Sequence, residues 1–275
     1  MPEGDTIHRA ARALAAAVRG ELVTAARFHP RTGIQAAVVT GRTVREVEPR
    51  GKHLLVWLGR DGREDVALHT HLRMSGSWHI YERGHAYEQG RAWSRPGPQA
   101  TAVLETARWA AVCFNAPVCE LLTAGQVARH PALAGLGPDL AATAPDVAEV
   151  RRRMDAQGSR PLLDVLLDQR VFAGVGNVYK SELCWLHRVH PLTPVGRLDG
   201  AVRDALIADA ARLLSRNAAA TSSARVTTTA GEPGRLYVYG RGGRSCRRCG
   251  TRILSALLGE PARRTAWCPR CQPAP

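Results

Sequence analysis

The chain has 275 residues, with 38 Lys and Arg against 24 Asp and Glu, a formal net charge of +14 and a pI near 10.5. Such a balance predicts attraction to a polyanion, with nucleic acid and an anionic membrane as the candidates. No apolar run approaches the ~18–20 residues of a membrane span, and the N-terminus lacks a signal-peptide core. The expectation is a cytoplasmic protein whose seven cysteines are reduced or metal-bound rather than disulfide-paired.

In chain order, Ile7, Ala11, Leu14, Ala15 and Val18 recur at helical spacing, and Gly20 supplies a stop. From about 21 to 122 the texture changes to short segments rich in Val, Leu, Trp and Thr. "HLLVWLG", "DVALHTHL" and "WAAVCF" are examples, parted by Gly, Pro and Asp turns. They predict a β-sandwich or barrel. The stretch 124–218 has helical texture throughout, with "PLLDVLLDQ" and "NVYKSELCWLHRV" flanking the break "RVFAGVG". "NAAATSSARVTTTAGEPG" is poor in apolar residues and reads as a loop or linker, and 235–275 as a separate unit. The expected division is 1–123, 124–220, a linker at 221–234, and 235–275. There are no internal repeats.

Several motifs carry chemistry. Behind the initiator methionine stand Pro2 and Glu3; trimming of Met1 exposes a secondary amine at the tip of the chain. Lysine is rare: Lys52 and Lys180 are the only two among 38 basic residues. The arginine bias fits an Arg/Ala-rich genome, and against it a lysine marks chemistry that needs a compact ammonium. Lys52, in "RGKHLLVWL", is expected at the start of a strand. His69 and His71 share a strand face, but no nearby carboxylate or cysteine completes a metal site, so a phosphate contact is the better reading. Met74, ahead of Ser75-Gly76, is either a core residue or a wedge. "FAGVGNVYKSE" places Asn177 as the N-cap of a helix after a Gly turn, where free N–H groups make an anion site.

The strongest signal lies in the tail. Cys246-x-x-Cys249 and Cys268-x-x-Cys271 are separated by eighteen residues, two knuckles that complete a tetrahedral four-cysteine zinc site. Nine arginines surround them between 235 and 275, against Glu260 alone. A zinc ribbon this small does not fold without metal. Cys113, Cys119 and Cys184 stand apart and read as core residues.

Taken together, "MPEG", "RGKHLL", "HLRMSGSW", "LLDQRVFAGVGNVYKSE" and "RTAWCPRCQ" resemble, in order and along the whole chain, the formamidopyrimidine-DNA glycosylase / endonuclease VIII family of DNA repair enzymes. The resemblance implies an α+β multidomain fold: an N-terminal β-sandwich with a leading helix, a helix-two-turn-helix domain and a C-terminal zinc ribbon. It implies a monomer acting on damaged DNA, with one structural Zn2+, no organic cofactor and no membrane. Pro2 matches the family's nucleophile, which attacks C1′ of a damaged nucleoside; Glu3 matches its general acid. Lys52 matches a strand lysine that binds a phosphate at the lesion. Asn177 and Arg263 match phosphate contacts, His71 a histidine near the backbone, and Met74 the residue inserted where the lesion is flipped out.

This sequence also departs from the pattern. "FNAPVCELL" stands where the 8-oxoguanine branch carries an arginine and a phenylalanine that fill the helix and read the opposite base. That favours the endonuclease VIII branch and oxidised pyrimidines as substrates, although "HLRMSG" resembles the other branch more. Many members carry glutamate where this chain has Thr6, a role left unfilled or moved to Asp5. The rival class is a non-catalytic, zinc-containing damaged-DNA-binding protein; Pro2, Glu3 and Lys52 speak against it.

Overall fold

The computed structural model describes residues 2–84, 93–229, 232, 234–260 and 262–275. Met1 lies outside the described residues, as do Ala230, Gly231 and Pro233 of the expected linker. The chain divides into two compact units: Met1–Pro2 with Thr6–Gly135, and Glu3–Asp5 with Leu136–Pro275. The helix α1 (Gly4–Val18) therefore begins in the second unit and runs through the first.

The first unit is a β-sandwich. One antiparallel sheet has the order β1-β6-β7-β5, the other β2-β3-β4-β8, from β1 (Ala25–Phe28), β2 (Thr43–Arg50), β3 (His53–Arg60) and β4 (Arg63–His71). The remaining strands are β5 (Ser77–Glu82), β6 (Ala100–Glu105), β7 (Trp109–Phe114) and β8 (Val118–Thr123). Leu54, Val56, Leu58 and Leu68 of one sheet share a core with Ala102, Leu104, Ala111 and Cys113 of the other. Ile7, Ala11, Leu14 and Val18 of α1 close it. Two short helices, α2 (Ala36–Val39) and α3 (Ala124–Arg129), complete the unit, the latter begun by a capping box of Thr123 and Gln126.

Register brings an unusual group together in the second sheet. β3 and β4 pair His53 with His71, and β4 and β8 pair His69 with Glu120. His69, 1 % exposed, has its Nδ1 2.7 Å from Glu120 Oε1 and its Nε2 2.9 Å from His53 Nδ1. His130, just after α3, reaches the same carboxylate oxygen with Nε2 at 3.0 Å. Burial, then the neighbouring His71, pushes His53 down to about 3. Burial, then the Lys52 charge, pushes His71 down to about 4. Burial lowers His69 as well, so His53, His69 and His71 are neutral at physiological pH, and His53 and His69 are hydrogen-bonded in series to the Glu120 carboxylate.

The second unit contains α4 (Val147–Asp155), α5 (Leu162–Leu167), α6 (Asn177–Leu186) and α7 (Gly200–Ala219). Helix does not run throughout 124–218 as its texture suggests. Pro131, Pro138 and Pro145 interrupt one stretch and Pro191 and Pro194 another, each removing a backbone donor and fixing φ. Met154, Leu166, Phe172, Tyr179, Leu183, Leu206 and Leu214 form the helical core. A hairpin of β9 (Leu254–Leu258) and β10 (Arg263–Trp267) follows. Its small core unites Trp185, Tyr237, Val238, Ile253, Ala266, Cys246 and Cys268.

Helix α6 is the buried hub. Glu182, fully buried, accepts from the backbone N–H groups of Tyr237, Val238 and Tyr239, each at 2.8 Å, and from the Thr227 hydroxyl. Three backbone donors converging on one carboxylate satisfy a charge that burial alone would make untenable. The segment 221–229 has neither helix nor strand, yet it is stitched down: Asn217 Oδ1 accepts from Val226 N–H at 2.8 Å, and its Nδ2 donates back to Val226 O at 2.9 Å.

Two outcomes follow. Glu182→Gln turns an amide NH2 toward N–H donors, and should lower unfolding free energy by ~2–4 kcal/mol, read by denaturant titration; an unchanged midpoint would refute the anchoring role. Between pH 6.5 and about 3 the unfolded chain binds a proton at His53 that the folded chain refuses, so stability falls as pH drops through that window. His69 and His71 act in the same sense. His53→Phe should reduce the slope of Tm against pH between 7 and 4, whatever its Tm at pH 7; an identical slope would count against the buried relay.

Candidate active site and metal centre

The N-terminal residues of the chain are tied into α6. Glu3, fully buried, accepts from Val178 N–H at 2.9 Å through Oε1 and from Tyr179 N–H at 3.5 Å through Oε2. A helix start offers unpaired N–H groups and a positive dipole end, and a carboxylate fits both. Two glycines make the approach possible. Gly174 adopts φ +94°, and its carbonyl accepts from Gly4 N–H at 2.9 Å. A Cβ on Gly176 would lie 2.4 Å from Glu3 Cδ. Asp5, also fully buried, meets Arg225 in a two-point pair at 2.6 and 2.9 Å, so a residue of the loop at 221–229 clamps the same segment.

Asn177 is not the N-cap of α6. Gly176 holds that position with no side-chain cap, and the capping carboxylate comes from Glu3 instead. Asn177 is the first helical residue; its Nδ2 donates to Arg264 O at 2.8 Å, and its Oδ1 accepts from Lys180 Nζ at 2.6 Å. Arg263 opens β10 with its side chain exposed. Asn177 and the start of β10 thus form one polar edge of the second unit.

In the first unit, Pro2 is half-buried. Lys52 does not begin a strand: it sits in the two-residue turn between Arg50 and His53. There Gly51 takes φ +58°, as the first central position of a type II′ hairpin turn requires. His71 Nδ1 accepts from Arg73 N–H at 3.1 Å. That bond supports Arg73 at φ 44°, an uncommon conformation for a residue with a side chain. Gly76 N–H closes the turn on Leu72 O at 2.9 Å. Met74, at its tip, is 67 % exposed, which removes the core reading.

Among the described residues, two groups bring three or more ligand atoms together, all within 4.8 Å. Cys246, Cys249, Cys268 and Cys271 have Sγ atoms 3.4–4.0 Å apart where pairs are in contact. A tetrahedral ion with bonds of ~2.3 Å to sulfur spaces its ligands by about 3.8 Å, so the cage fits zinc. Trp185 Nε1–H points at Cys246 Sγ at 3.4 Å, and Arg248 and Cys271 N–H groups face sulfur at 3.5 Å, donors suited to thiolates. Cys113 and Cys184 are buried core residues, and Cys119 is half-buried.

The second group is His69, Glu120 and His130. The carboxylate judged absent beside His69 from sequence is present: Glu120 arrives from β8, 51 residues away. Ala132 N–H donates to His130 Nδ1 at 3.2 Å, so the His130 proton sits on Nε2 and points at Glu120. The group is wired as hydrogen bonds rather than as an ion cage.

Sequence reading missed Arg225 and Glu182, because neither partner set is visible along the chain; Lys180 carried only its rarity as a signal.

The chain is similar to known proteins over its full length. Residues 1–117 match the formamidopyrimidine-DNA glycosylase N-terminal domain and residues 136–229 the H2TH domain of the same family. A Streptomyces coelicolor protein described as probable endonuclease 8 2 is 41 % identical over 279 residues, covering 100 % of this chain and 95 % of that one. The Mycolicibacterium smegmatis DNA-(apurinic or apyrimidinic site) lyase Nei2 is 40 % identical, with all of both chains covered. In fold, the Lactococcus lactis Fpg solved with abasic-site DNA superimposes with a TM-score of 0.79 at 23 % identity, over 99 % of this chain and 100 % of that one. Two family models that together span most of the chain, and full-length relatives at 40 and 41 % identity, agree: this chain belongs to the formamidopyrimidine-DNA glycosylase family, among its endonuclease 8 relatives.

Proposed function

We propose that the protein is a bifunctional DNA glycosylase and abasic-site lyase that removes oxidised bases, pyrimidines above all. The observation that carries the reading is the anchoring of the N-terminal residues by Glu3 and Asp5. An ordinary terminus has no need of two buried carboxylates; a terminus that serves as a reagent does. In this reading residues 1–123 carry the chemistry, while 124–220 and 235–275, joined by 221–234, grip DNA in the cytoplasm. The four cysteines hold one structural zinc, whose contribution is to fold the hairpin that presents Arg263.

With Met1 removed, the Pro2 amine, of pKa about 8 in an unperturbed chain, is neutral in a useful fraction of molecules near pH 7. Its lone pair bonds to C1′; the glycosidic bond breaks, and its electrons leave with the base, which takes up a proton. Glu3 gives a proton to the ring oxygen, the C1′–O4′ bond opens, and the nitrogen sheds its own proton to become an iminium. That cation accepts the electrons of the C2′–H bond as its proton passes to water and the 3′-phosphate departs, and a second elimination, which gives another sugar proton to water, releases the 5′-phosphate. Lys52 and His71 in the first unit, with Asn177 and Arg263 in the second, bind phosphates, and Met74 fills the space vacated by the flipped nucleotide.

Borohydride trapping on an abasic-site oligonucleotide tests the chemistry. Pro2→Gly, and protein verified to retain Met1, should lose covalent trapping and base release. Glu3→Gln should keep trapping on the pre-formed abasic site while losing base excision. Wild-type trapping with Met1 in place would overturn the nucleophile assignment, and equal losses on both substrates would remove Glu3 as the acid.

Lesion preference rests on the segment 114–122. Reading the orphaned base with an arginine is worth ~1–3 kcal/mol of discrimination, and this segment has none. Glu120 is engaged by His69 and His130, Asn115 Nδ2 donates to Gln99, and burial holds the Cys119 thiol up at about 12, hence neutral. Arg31 reaches in, but its guanidinium donates to Ala116 O and Thr101 Oγ1. Oxidised pyrimidines that have lost planarity stack poorly and need less help to leave the helix. Single-turnover rates on matched duplexes should therefore rank 5-hydroxyuracil and thymine glycol above 8-oxoguanine opposite cytosine; the reverse order would reverse the preference.

A further inference from the structure

Lys180 is one of two lysines in a chain of 38 basic residues, and it is fully buried. Its ammonium has three N–H donors and finds three acceptors: Asn177 Oδ1 at 2.6 Å, Thr265 Oγ1 at 2.7 Å and Arg264 O at 3.4 Å. The inventory closes with no donor left over. Each bond also fixes a further one. With Oδ1 turned to the ammonium, the Asn177 amide can present only Nδ2 to Arg264 O, which it does at 2.8 Å. With its oxygen accepting from Lys180, Thr265 turns its own proton to Arg263 O at 3.0 Å. One charge thereby sets the orientation of the first residue of α6 and of the backbone at 263–265.

We propose that Lys180 is a positioning residue that locks Asn177 and the Arg263–Thr265 backbone into a single phosphate-gripping edge, an inference that rests on the DNA-binding reading above. An ammonium suits the place: its three donors fan out from one atom to three acceptors, whereas a guanidinium presents its donors in a planar fork. The anionic phosphate would meet an edge whose parts are already held, so less ordering accompanies binding. Burial, more than any neighbour, lowers the Lys180 pKa to about 8; Glu3, Asp164 and Cys184 act to raise it and Arg263 to lower it. The lock is therefore charged at neutral pH and loses its charge in mild alkali.

The test is the affinity for a duplex bearing a tetrahydrofuran abasic-site analogue, measured by fluorescence anisotropy from pH 6.5 to 9.5. Lys180→Met should bind roughly tenfold more weakly at pH 7, retain one metal ion per chain, and show a flatter pH profile than wild type, whose affinity falls above pH 8. On an abasic-site substrate the loss should fall on KM more than on kcat. A Lys180→Met protein with wild-type affinity and pH profile overturns the proposal. If that variant fails to fold or loses its metal, Thr265→Val decides: several-fold weaker binding supports the lock, and unchanged binding overturns it. Wild-type protein that does not bind the duplex would overturn the functional reading and this inference with it.

Discussion

A carboxylate from the third residue of the chain occupies the start of a helix that begins 174 residues later, and much of the second unit is shaped by that contact. Helix α6 opens on N–H groups that have no partner within the helix. Glu3 supplies the acceptor, and for it to do so the chain must pass within bonding distance of Gly174 and Gly176. Side chains at either position would meet the N-terminal segment: a Cβ on Gly176 strikes Glu3, while Gly174 has positive φ. The glycine pattern of "FAGVGN" is therefore a steric consequence of where the N-terminal residues have to be. Asp5 and Arg225 repeat the same solution with an ion pair.

From there the hub helix works outward by alternating polar and apolar grips. Lys180 and Glu182, two residues apart on α6, have opposite tasks: an ammonium binds oxygens of Asn177 and of the hairpin, and a carboxylate binds amides of 237–239. Trp185 then stacks on Tyr237 with ring centroids 4.1 Å apart and abuts Cys246. Buried charges are costly, and Glu3, Lys180 and Glu182 are tolerated here because each meets hydrogen-bond partners. The metal cage and the helix are thus parts of one folded body rather than a ribbon on a tether.

Much of this was legible in the sequence, and the limits are physical. Periodicity revealed α1, since burial of one helix stripe leaves a local trace, and short Val-, Leu-, Trp- and Thr-rich segments between Gly, Pro and Asp turns revealed the sandwich strands. Cysteine spacing revealed the cage, because two ligands per knuckle must be close in sequence. Asn177 was misplaced by one residue: a cap is ordinarily local, and nothing in "FAGVGN" announces that a carboxylate 174 positions upstream will take that role. Glu120 escaped for a related reason. Its pairing with His69 is set by the register of β4 against β8, and register between strands 51 residues apart is not written in either strand alone. The stretch 124–218 reads as helix throughout because its apolar texture is continuous, and the weight of the prolines at 131, 138, 145, 191 and 194 against that texture shows only in the structure.

The burial of Lys180 has a consequence for amine chemistry. A protein of this size usually displays many primary amines, any of which can condense with a sugar aldehyde. Here one of two lysines is sealed inside and chemically silent, leaving Lys52 as the sole lysine with solvent access. A chain so nearly stripped of competing nucleophiles confines imine formation on open-chain sugars to very few nitrogens, and gives an adduct whose attachment point a single peptide map can assign.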